Sequence, residues 1–131
     1  MSISPRAPRR ACSAIRIVVV DDEDTFRIAL AENLRDDGHP VEECRDPLAV
    51  GRLEDADVVV TDYEMDTMTG LAFADLVHAA RPCIEVVLVT AHYSQDLAAA
   101  LAERPFLRLH HKPVDYDALH DQVHGGAAFR P

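Results

Sequence analysis

A doubly wound α/β sandwich is the fold this sequence predicts, and three observations predict it. Short β-branched runs recur, as in Ile17-Val18-Val19-Val20, Val58-Val59-Val60-Thr61 and Val86-Val87-Leu88-Val89-Thr90. Apolar runs of that length read as strands buried on both faces of a parallel sheet. Between the runs lie segments with apolar residues at helical spacing, and such alternation joins parallel strands by right-handed crossovers that cover both faces with helices. Two of the runs end in carboxylates, Asp21-Asp22 and Asp62, at the strand ends where open α/β sheets bind their ligands.

Each element has a local reason. Residues 1–13, with Pro5 and Pro8 among small and basic residues, cannot build a core and are expected to form a flexible extension. Ile15 to Val20 reads as the first strand. Phe26, Ala29, Leu30 and Leu34 then recur at helical spacing, with Asp24 as a candidate cap and Gly38 as the stop. Val41 to Cys44 is a weaker second strand. Asp46-Pro47 reads as a cap followed by a first-turn proline, opening a short helix through Leu53. Val58 to Thr61 is the third strand, and Leu71 to Val77 a helix that Pro82 forbids from continuing. Glu85 to Val89 is the fourth strand, after which Ser94 can cap a helix carrying Leu97 and Leu101. Phe106 to Leu109, the least apolar run, is expected at a sheet edge. Asp115 caps the last helix, Val114 and Leu119 are placed as a hydrophobic staple, and Gly125-Gly126 should stop it. The expected organisation is one folded domain over residues 14–125, followed by a short tail over 126–131.

Composition narrows the function. With 131 residues, 48% of them hydrophobic, the chain suits one core rather than two. Thirteen Lys and Arg against 23 Asp and Glu leave a formal charge of −10, a field that repels nucleic-acid phosphates, so direct DNA binding is not expected. Cys12, Cys44 and Cys83 are odd in number and lack CxxC spacing, which argues against a disulfide framework or a zinc site and favours a reducing cytoplasm. No apolar run approaches the roughly 20 residues that span a bilayer, and the basic amino terminus lacks an apolar signal core. His110 and His111 do not suggest one metal site, because neighbouring strand residues face opposite ways. The chain carries neither GxGxxG nor GxxxxGK[ST].

The acids carry the chemistry. If the loops after the first and third strands adjoin, Asp21, Asp22 and Asp62 repel one another unless a cation sits among them. Oxygen-only donors suit Mg²⁺, which is commonly held by one or two carboxylates plus a phosphate. Such a metal would also let a carboxylate attack phosphorus. Asp62, standing alone, is read as the nucleophile, and Asp21 and Asp22 as metal ligands or holders of metal-bound water. Thr90 offers a hydroxyl and Lys112 a point charge to a phosphoryl oxygen.

Together, Val19-Val20-Asp21-Asp22-Glu23, Val60-Thr61-Asp62-Tyr63-Glu64-Met65 with Gly70-Leu71, Val89-Thr90-Ala91 and Lys112-Pro113 resemble the receiver domain of two-component response regulators. The resemblance runs from about Ile15 to His124, in order and at the usual spacing. It implies a flavodoxin-like strand order 2-1-3-4-5, Mg²⁺ as cofactor, and transfer of a phosphoryl group from a sensor histidine kinase or histidine phosphotransfer protein to Asp62. It further implies that the backbone carbonyl of Glu64 completes the metal site, that Thr90 follows the phosphoryl group, that Lys112 binds it, and that the Lys112-Pro113 bond is cis. Glu64 and His92 fall where this family sets the lifetime of the aspartyl phosphate.

Two positions depart from the pattern. Asp66 stands where the family usually has proline, and Leu109 where it usually has an aromatic switch residue. The resulting expectation is a stand-alone receiver, a monomer or weak dimer with no catalytic turnover of its own on other molecules. It would signal to a downstream protein through the face formed by helix 4, strand 5 and helix 5. A pseudo-receiver that binds without being phosphorylated is the alternative. An Asp-nucleophile phosphatase is a third class, for which Asp62-Tyr63-Glu64 lacks the usual second Asp.

Overall fold

The computed structural model describes residues 15–51 and 53–128. The extension expected over residues 1–13 lies outside them, as does the end of the tail expected over 126–131. The elements run β1 (Ile17–Val20), α1 (Asp24–Asp36), β2 (Val41–Cys44), β3 (Val58–Asp62), α2 (Gly70–Ala80), β4 (Glu85–Thr90), α3 (Gln95–Ala102), β5 (Leu107–His111) and α4 (Tyr116–Ala128). All strand pairs are parallel and the order is β2-β1-β3-β4-β5, which is the expected order with β5 at an edge.

Side-chain alternation along the strands builds the two layers. Ile17, Val19, Val58, Val60, Val87 and Val89 face Leu30 and Leu34 of α1 and Leu119 and Val123 of α4. Val18, Val20, Val59, Val86 and Leu88 face Phe73, Ala74 and Val77 of α2 and Leu97 of α3. Val20 lies beside Cys44 and Thr61, and Asp62 beside Val89, so the carboxyl ends of β1, β3 and β4 finish at one edge of the sheet.

Local signals mostly acted as expected. Asp46 accepts the Leu48 N–H at 3.0 Å, Ser94 the Leu97 N–H at 3.1 Å, and Asp115 the Ala118 N–H at 3.1 Å. Val114 and Leu119 pack into one cluster as a staple should. Gly38 adopts φ 96° after α1, and α2 ends before Pro82.

Three expectations need correction. The helix expected from Pro47 through Leu53 is two single 3₁₀ turns, Pro47–Ala49 and Leu53–Asp55, because Val50 is extended (φ −66°, ψ 123°) and is followed by Gly51, a poor helix former. There are accordingly four α-helices among the described residues, and the expected helices 4 and 5 are α3 and α4. Asp24 is the first residue of α1 rather than its cap. Its carboxylate is taken by Arg27 at 2.8 Å and Arg45 at 2.9 Å, while Glu23 occupies the cap position without a side-chain bond. Finally, α4 runs through Gly125-Gly126 to Ala128. Glycine stops a helix by turning left-handed, and among the described residues only Gly38 does so.

Candidate functional site

The carboxyl edge of the sheet collects the predicted acids. Asp21 follows β1 and is 1% exposed, Asp62 closes β3 at 8%, and one carboxylate oxygen each from Asp21, Asp22 and Asp62 lies within 4.8 Å of the others. Lys112 follows β5 and reaches in among them, its Nζ 3.3 Å from Asp21 Oδ2, 3.2 Å from Asp62 Oδ1 and 3.6 Å from Glu23 Oε1. The same ammonium sits 4.2 Å from the centroid of the Phe26 ring, a cation–π contact that adds to its placement. The Lys112-Pro113 bond is cis, as the resemblance implies.

Main-chain bonds hold the loops that carry these groups. Tyr63 N donates to Val89 O at 2.9 Å and Lys112 N to Thr90 O at 2.8 Å, which stitches the ends of β3, β4 and β5 together. Gly70 N donates to Tyr63 O at 2.7 Å, and Thr69 Oγ1 accepts the Ala72 N–H at 3.2 Å to start α2. Asp21 Oδ1 accepts the Glu23 N–H at 2.9 Å. Arg27, 8% exposed, fixes the β1 end from beneath: its guanidinium donates to Asp21 O at 3.0 Å, Asp24 Oδ1 at 2.8 Å and Glu43 Oε1 at 3.2 Å.

Thr90 lies at the end of β4 as expected, 1% exposed, but its hydroxyl is turned into its own loop. Oγ1 donates to His92 O at 2.7 Å and accepts the His92 N–H at 3.1 Å. Glu64 and His92 are both exposed, with Nε2 and Oε1 4.0 Å apart. Leu109 is part-buried against the layer under α2 and α3. Phe106 stacks on His78 with ring centroids 3.8 Å apart, and Tyr93 tilts against His111 at 5.4 Å. His110 instead pairs with Gln122, so the two neighbouring histidines do face opposite ways.

Electrostatics bear on what this pocket binds. The Asp62 carboxyl is pushed up to about 6, first by burial and then by the charge of Asp21, against the opposing pull of Lys112. Asp21 is raised as well, mainly by burial. Burial lowers the Lys112 ammonium, but Asp21 and Asp62 outweigh it and hold the group charged. Asp21, Asp62 and, at 3.6 Å, Glu23 share the Lys112 ammonium, and Asp22 adds a further carboxylate beside them. The donor set is all oxygen, crowded and short of positive charge, which fits a hard divalent ion such as Mg²⁺.

A raised carboxyl pKa has a definite sign in stability. Between about pH 4 and pH 6 the folded chain keeps a proton on Asp62 that the unfolded chain has lost, so the metal-free protein loses stability as pH rises through that window. Thermal melts without divalent ions should show this fall for the wild type and a smaller one for Asp62→Asn. Parallel profiles would refute it.

A second group, Asp37, His39 and His120, also brings ligand-type atoms within 4.8 Å. Its hydrogen bonds oppose metal binding. His39 Nδ1 accepts the Ile15 N–H at 3.2 Å, which leaves the proton on Nε2 facing Asp37 at 3.3 Å, the reverse of a metal-bound imidazole. His120 joins Asp37 at 2.9 Å and Asn33 at 2.7 Å. These bonds tie α4 to α1.

Sequence reasoning missed Arg27 and Phe26 as members of the site, and had Glu23 only as part of the Asp21-Asp22-Glu23 run, without its contact to Lys112. The basic residue one helical turn past Asp24 was the available signal for Arg27. For the Phe26 ring over Lys112 there was none.

The structure is an α/β domain that gathers acidic side chains at the carboxyl edge of a five-stranded parallel sheet. The chain belongs to the response regulator receiver domain family, whose model matches residues 17–124, and is thus a receiver domain of two-component signal transduction. It is 30% identical over 110 residues to the transcriptional regulatory protein GlrR of Escherichia coli, covering 82% of this chain and 25% of that one. It is 36% identical over 105 residues to a response regulator receiver protein of an Anaeromyxobacter species, covering 76% of this chain and 43% of the relative. The chain therefore spans between a quarter and under half the length of these curated relatives. Among solved structures, a CheY-like receiver domain protein of Methanospirillum hungatei superposes with a TM-score of 0.78 at 22% identity over 88% of this chain and 94% of that one. A receiver domain from Clostridium thermocellum gives 0.75 at 25% identity, over 87% and 94%. Among the described residues no helix is long and apolar enough to cross a membrane.

Proposed function

We propose that Asp62 accepts a phosphoryl group from a phosphohistidine of a sensor kinase or phosphotransfer protein. One observation carries this reading: the Asp62 carboxylate sits 3.2 Å from Lys112 Nζ and has an oxygen within 4.8 Å of oxygens of Asp21 and Asp22. In the step, the P–N bond of the donor breaks with its electron pair returning to the imidazole, and an O–P bond forms to Asp62. Asp21, Asp22, Asp62 and the backbone carbonyl of Glu64 would hold Mg²⁺. When bound, that ion neutralises the carboxylate nucleophile and the phosphoryl oxygens. Lys112, already lodged between Asp21 and Asp62, supplies a fixed positive charge to a phosphoryl oxygen.

Thr90 couples the chemistry to the surface. To reach a phosphoryl oxygen its hydroxyl must release His92 O, and that loop leads directly to the Ser94 cap of α3. A two-state loop biased in this way is what lets a local charge act at a distance. The output surface would be the α3, β5 and α4 face, with a protein rather than DNA as the downstream partner. The charge of −10 supports that choice, and the free thiols of Cys44 and Cys83 support a cytoplasmic setting.

Mixing the protein with Mg²⁺ and a small phosphodonor tests both parts. Intact-mass spectrometry should show one phosphoryl group per chain, and amide NMR shifts should concentrate between Thr90 and His111 and along α4. No mass gain would make the domain a non-phosphorylated binding module, and many phosphates released per chain would make it a phosphatase.

A further inference from the structure

We infer that the backbone N–H of Asp66 positions Asp22 for the divalent cation, an inference that rests on the reading of the acid pocket as a Mg²⁺ site. Asp66 N donates to Asp22 Oδ2 at 3.1 Å, joining the loop after β3 to the loop after β1 across 44 residues. Asp21 and Asp62 are oriented by burial and by Lys112. Asp22 is more open to solvent and is absent from the Lys112 contacts, so its carboxylate needs another restraint to hold one rotamer. The amide occupies one of its two oxygens and leaves the other available to a cation. Orienting a ligand through its unused lone pairs raises metal affinity by removing the ordering cost from the binding step.

The donor is anchored by more than the loop's own conformation. The segment starts from Tyr63, bonded to Val89, and ends at Thr69 and Gly70, bonded to Ala72 and Tyr63. Asp66 stands where proline is usual in chains of this pattern, and proline has no N–H to give. The departure thus adds a donor to the site as well as a fourth acid near it.

Two variants separate those effects. Asp66→Ala and Asp66→Pro both remove the carboxylate, but only the second removes the N–H. Titration calorimetry with Mg²⁺ should place Asp66→Ala within about twofold of the wild type and Asp66→Pro about fivefold weaker than Asp66→Ala, less than the roughly tenfold or more usual for loss of an outer partner because the bond is exposed. In an Asp22→Ala background the two should bind alike, since the amide then has nothing to orient. Equal affinities of Asp66→Pro and Asp66→Ala with Asp22 intact would overturn the inference. Should Asp66→Pro not fold, amide NMR of the metal-free wild type decides: the Asp66 N–H should be protected from exchange and lose that protection in Asp22→Ala. An unprotected amide would also overturn it. A wild type that binds no Mg²⁺ would instead defeat the reading of the pocket itself.

Discussion

Asp62→Asn is expected to eliminate phosphate incorporation while making the metal-free protein more stable. Asparagine keeps the shape of the side chain and an oxygen for Lys112, whose Nζ is 3.2 Å from the present carboxylate. What it removes is the nucleophile: an amide oxygen carries no formal charge, and the amide nitrogen lone pair is delocalised. Intact mass in the presence of Mg²⁺ and phosphodonor should show no gain. A gain equal to that of the wild type would mean that another residue is the acceptor. The stability effect follows from the same crowding. At neutral pH the wild type keeps Asp62 ionised against a pKa of about 6 in a buried setting beside Asp21. Relieving that repulsion should contribute on the order of 1–2 kcal/mol and raise the metal-free melting temperature by roughly 4 °C. Saturating Mg²⁺ should narrow or reverse the difference, because the ion stabilises only the chain that binds it.

Gly70→Ala is expected to be the most damaging small substitution at the site. Glycine is required at the start of α2 for space and not for backbone conformation. A Cβ there would lie 2.2 Å from Asp62 O, 2.7 Å from Leu88 Cδ1 and 2.9 Å from Tyr63 Cα. Two of those atoms are backbone and cannot turn aside as a side chain would. The same step carries the 2.7 Å bond from Gly70 N to Tyr63 O, so the helix cannot move away without breaking it. Overpacking of this kind costs about 3 kcal/mol or more, expected as a melting temperature lower by about 10 °C and as weaker Mg²⁺ binding, since Asp62 is the residue displaced. Gly51→Ala is the control. Its Cβ would meet Glu42 at an ordinary 3.9 Å, and little change is expected. If both variants melt like the wild type, the close approach at Gly70 is not limiting.

These residues show what could be seen before the structure. Ile17 to Val20, Val58 to Thr61 and Val86 to Thr90 announce central strands because full burial demands unbroken apolar runs, and all three are buried. The caps at Asp46, Ser94 and Asp115 were legible because each bond spans two or three residues. Capping logic failed at Asp24, where Arg45, far along the chain, competes for the carboxylate. It failed again at Gly125-Gly126, where a stop requires a dihedral choice that composition does not impose. The helix expected after Asp46-Pro47 stopped within one turn, for the cap was sound but Val50-Gly51 could not extend it.

By itself, then, the sequence determined the five strands, four of the five helices expected between and after them, and the edge of the sheet to which Asp21, Asp22, Asp62, Thr90 and Lys112 belong. Those properties are written in spacings of two to four residues, the range over which backbone geometry acts. Only the tertiary structure decided how the acids are held. The bond from Lys112 to Asp21 spans 91 residues and that from Asp66 to Asp22 spans 44. The Phe26 ring under the ammonium, the Arg27 fork beneath β1 and the crowding at Gly70 likewise depend on which loops the sheet order makes neighbours. Side-chain partners at such separations are selected by packing, and packing leaves no local period in the chain to read.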